Sequence, residues 1–106
     1  AREVRDLSHG FALDTYGNLE YGYQAYDMYA NNQAGALTGQ SRVDAYQSSL
    51  AILTTNFNRY TYDARTALYL AHVLSLAPIG ISVDQSMLSE ALARAIKGSP
   101  KRSQPW

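Results

Sequence analysis

His9 and His72 are the only side chains of this 106-residue chain whose ordinary pKa lies near neutral pH. Neither has the company that proton-transfer chemistry needs. His72 is spaced by four from Leu68 and from Leu76 in an apolar stretch. That setting predicts a satisfied, partly buried ring rather than a general base. His9 precedes Gly10 in a Ser-His-Gly turn, which suits a solvated ring. Two imidazoles without any cysteine build no His-rich or thiolate metal site, no iron–sulfur cluster and no disulfide, and they leave no thiol nucleophile. There is no glycine-rich phosphate loop, zinc-binding His-Glu helix or nucleophile elbow. The run from Asp14 to Glu20 lacks calcium-loop spacing. These residues predict a non-enzymatic chain with no cofactor and no metal. A small enzyme or ligand carrier is the alternative, recognisable by a pocket where two or more carboxylates surround His72.

The chemistry that is present in quantity is phenolic. Nine tyrosines stand against 2 phenylalanines and 1 tryptophan. A tyrosine buries a large ring but keeps a hydroxyl that needs water or a partner, which suits binding faces. Ala12, Tyr16, Leu19, Tyr23, Tyr26 and Ala30 alternate steps of four and three, so they share one helical face. Tyr21, Ala25, Met28 and Tyr29 lie on nearly the opposite side. A helix apolar on two faces needs two things to pack against, and a small domain has few elements to supply both. The expectation is an exposed, partner-binding face of Tyr21, Ala25, Met28 and Tyr29 that meets another protein chain, a second copy included. A peptide or glycan stacking on Tyr21 and Tyr29 uses the same chemistry.

Charge excludes other classes. Nine basic and nine acidic residues cancel, so no general field draws nucleic acid or an anionic membrane. The basic cluster Lys97, Lys101 and Arg102 complements a helix C-terminus and continues into a basic tail. The nucleic-acid alternative is a helix–turn–helix pair formed by the third and fourth helices plus that tail. Its reading helix would open on Asp84, Gln85, Ser86 and Glu90 with no base before Arg94, a poor face for phosphates. The longest uncharged apolar stretch, Thr66 to Val83, contains Pro78 and Gly80 after about three helical turns, so it predicts a core helix and a turn rather than a span of about 20 residues.

Four helices must position these groups. The first carries the tyrosine stripe, with room for a short leading helix bearing Val4, Leu7 and Phe11 ahead of Gly10, and is weakened by Gly17 and Gly22. Asn31 to Gln40 reads as a loop with room for one turn at Ala34, Ala36 and Leu37. The second helix starts near Ser41, where Ser41 and Asp44 have capping-box spacing, and carries Val43, Tyr46, Leu50, Leu53 and Phe57. The third begins near Thr61 or Tyr62 with Asp63 in its first turn, is apolar around most of its circumference, and ends at Pro78. The fourth is capped by Ser82 with Gln85 answering, and carries Val83, Met87, Leu88, Ala91, Leu92, Ala95 and Ile96. Glu90 and Arg94 pair on it, and Gly98 stops it. Short linkers predict antiparallel neighbours. The fold expectation is all-α: one domain over residues 1–97 with about four helices in antiparallel hairpins, and a mobile, proline-containing tail over 98–106.

An offset of 34 residues aligns Tyr16 with Leu50, Leu19 with Leu53 and Tyr23 with Phe57, and it is the repeat length of tetratricopeptide proteins. The window from Gln47 to Gly80 resembles one such repeat, with Leu50, Leu53 and Phe57 at its large positions, Thr66, Leu70 and Val73 on its second helix, and Pro78 at the closing proline. Thr54 replaces the favoured glycine and Thr66 the favoured alanine, and a Gly/Asn-rich stretch stands where the first copy's second helix belongs. The resemblance covers about a third of the chain and implies helical-hairpin shape alone.

Overall fold

A computed structural model of the chain describes residues 14–33 and 36–98, with the side chains of residues 32 and 33 left out. The described part is all-α. Helix α1 spans Thr15–Tyr26 and runs on into a π-helical segment, Asp27–Gln33. Helices α2 (Gly39–Arg59), α3 (Ala64–Ser75) and α4 (Gln85–Gly98) follow. None of these helices is long and apolar enough to cross a membrane. Ala12, Ala34, the leading segment with Val4, Leu7 and Phe11, and residues 99–106 lie outside the described residues, and Gly98 closes α4.

Local chemistry sets the helix starts, and aspartate does most of it. Asp14 caps α1, its Oδ1 accepting from the Gly17 amide at 2.7 Å. Asp63 lies one residue ahead of α3 rather than within its first turn, and caps it by accepting from the Thr66 amide and hydroxyl at 3.1 and 2.6 Å. For α4 the cap is Asp84 rather than Ser82, with Oδ1 taking the Met87 amide at 3.0 Å. A carboxylate beats a hydroxyl here because it meets the positive helix end with a full charge. The expected capping box at Ser41 and Asp44 does not form. Helix α2 begins two residues earlier, after Thr38, and Asp44 instead accepts from Gln40 Nε2 at 2.9 Å. Gly39, at a φ of +56°, makes that early start accessible.

Side-chain contacts give the topology. Asn56 meets Asn18 and Ser49 meets Ala25, so α1 and α2 are antiparallel. Tyr23 bonds Asp63 and Tyr26 bonds His72, so α1 runs parallel to α3. The C-terminus of α4 at Gly98 touches the N-terminus of α3 at Ala64. Thr54 reaches Met87 and Arg94 reaches Phe57, so α4 runs with α2. The chain direction alternates helix by helix. The core joins Leu53 and Phe57 of α2 to Leu70, Val73 and Leu74 of α3, while Ala67, Ala71, Ala91 and Ala95 line a seam of small residues between α3 and α4. Small side chains let two helix axes approach closely.

The inward face of α1 differs from the tyrosine stripe. Tyr16 is 73% exposed, whereas Gly22 and Tyr29 are buried. A Cβ on Gly22 would lie 2.6 Å from Asn56 Nδ2, so this glycine marks the closest approach of α1 to α2. Asn56 fills the gap with its amide, donating to the Asn18 carbonyl at 2.8 Å. The face against α2 therefore passes through Asn18, Gly22 and Ala25 to Tyr29, and Tyr23 and Tyr26 turn towards α3.

Candidate functional site

A groove of about 300 Å³ opens between α1, the start of the π-helical segment and α2. Tyr21, Ala25, Met28 and Tyr29 form one side, Ala45, Ser49 and Ile52 the other, and Leu37 also lines it. No charged side chain lines it. All four residues expected on a partner-binding face converge on this groove, but not on equal terms. Tyr21 and Met28 are 54% and 55% exposed, and Ala25 is half-buried. Tyr29 is 1% exposed, which overturns the expectation that it is presented to solvent. Its ring packs 5.8 Å from the Tyr46 ring, its hydroxyl donates to the Leu76 carbonyl at 2.7 Å, and Arg42 Nε lies 3.4 Å from the same oxygen. That hydroxyl satisfies a carbonyl at the end of α3, which has no helical partner of its own. Tyr29 is thus a core residue whose flank floors the groove.

On the other side of α1 lies a phenolic network that the sequence did not mark. The Tyr26 and Tyr69 rings stack in parallel with centroids 3.8 Å apart, and Tyr23 meets Tyr69 edge-on at 5.6 Å. Arg65 lies 4.2 Å above the Tyr23 ring and donates from Nε to the Tyr69 hydroxyl at 3.0 Å. The Tyr23 hydroxyl donates to Asp63 Oδ2 at 2.7 Å. Burial, then the hydrogen bond to Asp63 and its charge, push the Tyr23 phenol far above its ordinary value. Burial and the neighbouring Tyr69 and Asp27 also raise Tyr26. This network consumes its own polar groups: it welds α1 to α3. The signal available in sequence was Arg65 and Tyr69 at a spacing of four beside Asp63.

His72 is exposed rather than partly buried, because it sits on the rim where α3 meets Tyr26, and its Nδ1 is 2.8 Å from the Tyr26 hydroxyl. The ring is satisfied, as expected. No group of three or more potential ligands able to hold a metal occurs among the described residues.

Lys97 is exposed in the last turn of α4, and Lys101 and Arg102 lie outside the described residues. A cavity of about 490 Å³ lies beside it, lined by Thr61, Tyr62, Glu90 and Arg94 among others. Arg94 is already committed. It stands 3.6 Å over the Phe57 ring, donates to the Phe57 carbonyl at 2.5 Å and approaches Glu90 at 3.9 Å. With Asp84 used as a cap, the opening of α4 offers little to a phosphate backbone.

No protein-family model matches this chain, and comparison with curated proteins and with solved structures finds no match.

Proposed function

We propose that this chain is a non-enzymatic interaction or assembly module, and that it engages another protein through the groove between α1 and α2. The observation that carries this reading is the uncharged groove with two large, half-exposed side chains, Tyr21 and Met28, among its lining. Its small Ala25, Ala45 and Ser49 leave room for an inserted side chain, while Tyr21 and Met28 supply rings and thioether able to close over it. The absence of charge in the lining favours an apolar, uncharged segment of the partner, since a charged one would be desolvated without a counter-ion. Ser48 and Gln24, both exposed at the groove, are placed to hydrogen-bond such a segment and fix its orientation.

The test is site-specific photocross-linking in the cell that makes the chain. A photoreactive residue at position 21 or 28 should trap one protein species, and the same probe at Gln47, exposed on α2, should not. Equal trapping at all three positions, or none at 21 and 28, would sink the reading.

A further inference from the structure

A phenol gives up an electron readily only when its proton has somewhere to go, because the protonated radical is a very strong acid. Hydrogen-bond partners therefore rank the tyrosines. The Tyr29 hydroxyl donates to the Leu76 carbonyl, which takes no proton, and its ring is enclosed. Tyr23 donates to Asp63, but the Thr66 amide and hydroxyl already hold that carboxylate. The Arg65 guanidinium 4.2 Å above the Tyr23 ring also opposes the loss of an electron there. Tyr26 differs. Its hydroxyl oxygen lies 2.8 Å from His72 Nδ1, which is a base in the tautomer that keeps its proton on Nε2. The imidazole is exposed and hands the proton on to water. Tyr26 also has its ring stacked flat on another phenol. Its plane is 7° from that of Tyr69 at a centroid separation of 3.8 Å, whereas other tyrosine pairs among the described residues meet tilted or edge-on at 5.6–6.2 Å. In a flat stack the carbons ortho to the two hydroxyls face the opposite ring at van der Waals separation. Both rings are half-buried and border a surface cavity of about 400 Å³.

We propose that Tyr26 and Tyr69 are an oxidative modification site, joined through their ortho carbons into a dityrosine that staples α1 to α3 when the chain meets a one-electron metal oxidant such as a high-valent haem. The oxidant takes one electron from Tyr26 while the phenolic proton moves to His72 Nδ1, leaving a neutral phenoxyl radical. A second equivalent takes one electron from Tyr69, whose proton leaves to water. The two radicals form one carbon–carbon bond, and the hydrogens on the bonded carbons shift to the oxygens and restore both phenols. Two electrons and two protons leave in all, and two equivalents of reduced metal carry the electrons. The two helices already hold the rings in place, so coupling needs no rearrangement of the fold. The site lies across α1 from the groove towards α2, so the two readings stand or fall separately.

The test exposes the whole chain to photogenerated tris(bipyridine)ruthenium(III) and maps the product by trypsin digestion and mass spectrometry. The product should keep the 11.7 kDa mass of one chain. Peptide 66–94, in which Tyr69 is the single tyrosine, should be joined to peptide 6–42 at Tyr26, the pair lighter by two hydrogen atoms than its separate parts. Tyr26→Phe and Tyr69→Phe, which keep the rings, should each abolish the product. Phenylalanine at the more exposed Tyr16, Tyr21 and Tyr62 should leave it intact. His72→Ala should slow coupling by roughly tenfold or more with unchanged helical circular dichroism, and added imidazole should restore the rate. Coupling that follows exposure, joins Tyr23 instead, or links two chains overturns the proposal. So does an oxidised chain without the Tyr26–Tyr69 bond, or a His72→Ala rate that is unchanged or that imidazole does not restore.

Discussion

Tyr21 and Tyr29 carry the same side chain on the same groove and should respond to mutation in opposite ways. Removing the Tyr29 ring empties a fully enclosed site and leaves the Leu76 carbonyl without its donor. Tyr29→Ala is therefore expected to destabilise by about 3–5 kcal/mol, and Tyr29→Phe, which loses only the hydroxyl, by about 1 kcal/mol. Tyr21→Ala should change stability by no more than about 0.5 kcal/mol, as at an ordinary surface position. Urea denaturation of the three variants checks the ordering; a Tyr21→Ala chain as damaged as Tyr29→Ala would make the whole face core. The residue types of the face were legible in sequence. Which of its two tyrosines is buried was not, because ring size predicts what can be buried and not which neighbour arrives to bury it.

At the scale of elements, the pairing of α1 with α2 turns on Gly22. In an isolated helix Gly22→Ala would gain about 1 kcal/mol. In the fold the new Cβ strikes Asn56 Nδ2, itself buried and bonded to the Asn18 carbonyl. The loss of that bond in a closed site costs about 1–3 kcal/mol, so the single substitution should be net destabilising. Asn56→Ala removes the obstructing amide, and the double variant should be more stable than the sum of the two single effects allows. A double-mutant cycle by denaturation measures that coupling; strict additivity would contradict the close approach. The glycine was visible in the sequence as a weak point of a helix. Its meaning as a contact point required Asn56, distant in the chain and unremarkable in type. The helix starts follow a simpler rule: Asp14, Asp63 and Asp84 are local caps, the Asp84 carboxylate outcompetes the Ser82 hydroxyl, and Gly39 lets α2 begin ahead of Ser41.

At the scale of the whole molecule, the phenols couple the fold to alkaline pH. Tyr23, Tyr26 and Tyr46 are each raised above their ordinary value, burial being the first cause in every case. For Tyr60 burial also pushes upward, but hydrogen bonds from Asn18 and Arg59 and the Arg59 charge outweigh it and the net direction is down. A raised phenol holds its proton longer in the folded chain, so its contribution is complete below about pH 10 and is lost as pH climbs from there through the folded value. Tyr60 works in the opposite sense and is outnumbered. The melting temperature should therefore fall above about pH 10, and Tyr23→Phe should flatten that fall; an unchanged slope would mean that the Tyr23–Asp63 bond does not persist in solution. Hydrophobic spacing and turn residues determined by themselves that the described part of this chain makes four α-helices of alternating direction, because those signals act within a few residues. The tertiary structure alone decided that Tyr29 is enclosed, that Tyr23 and Tyr26 serve α3, and that Leu92 and Ile96 are left uncovered. Burial is a property of what packs alongside, and no residue carries that information in its own neighbourhood of the chain.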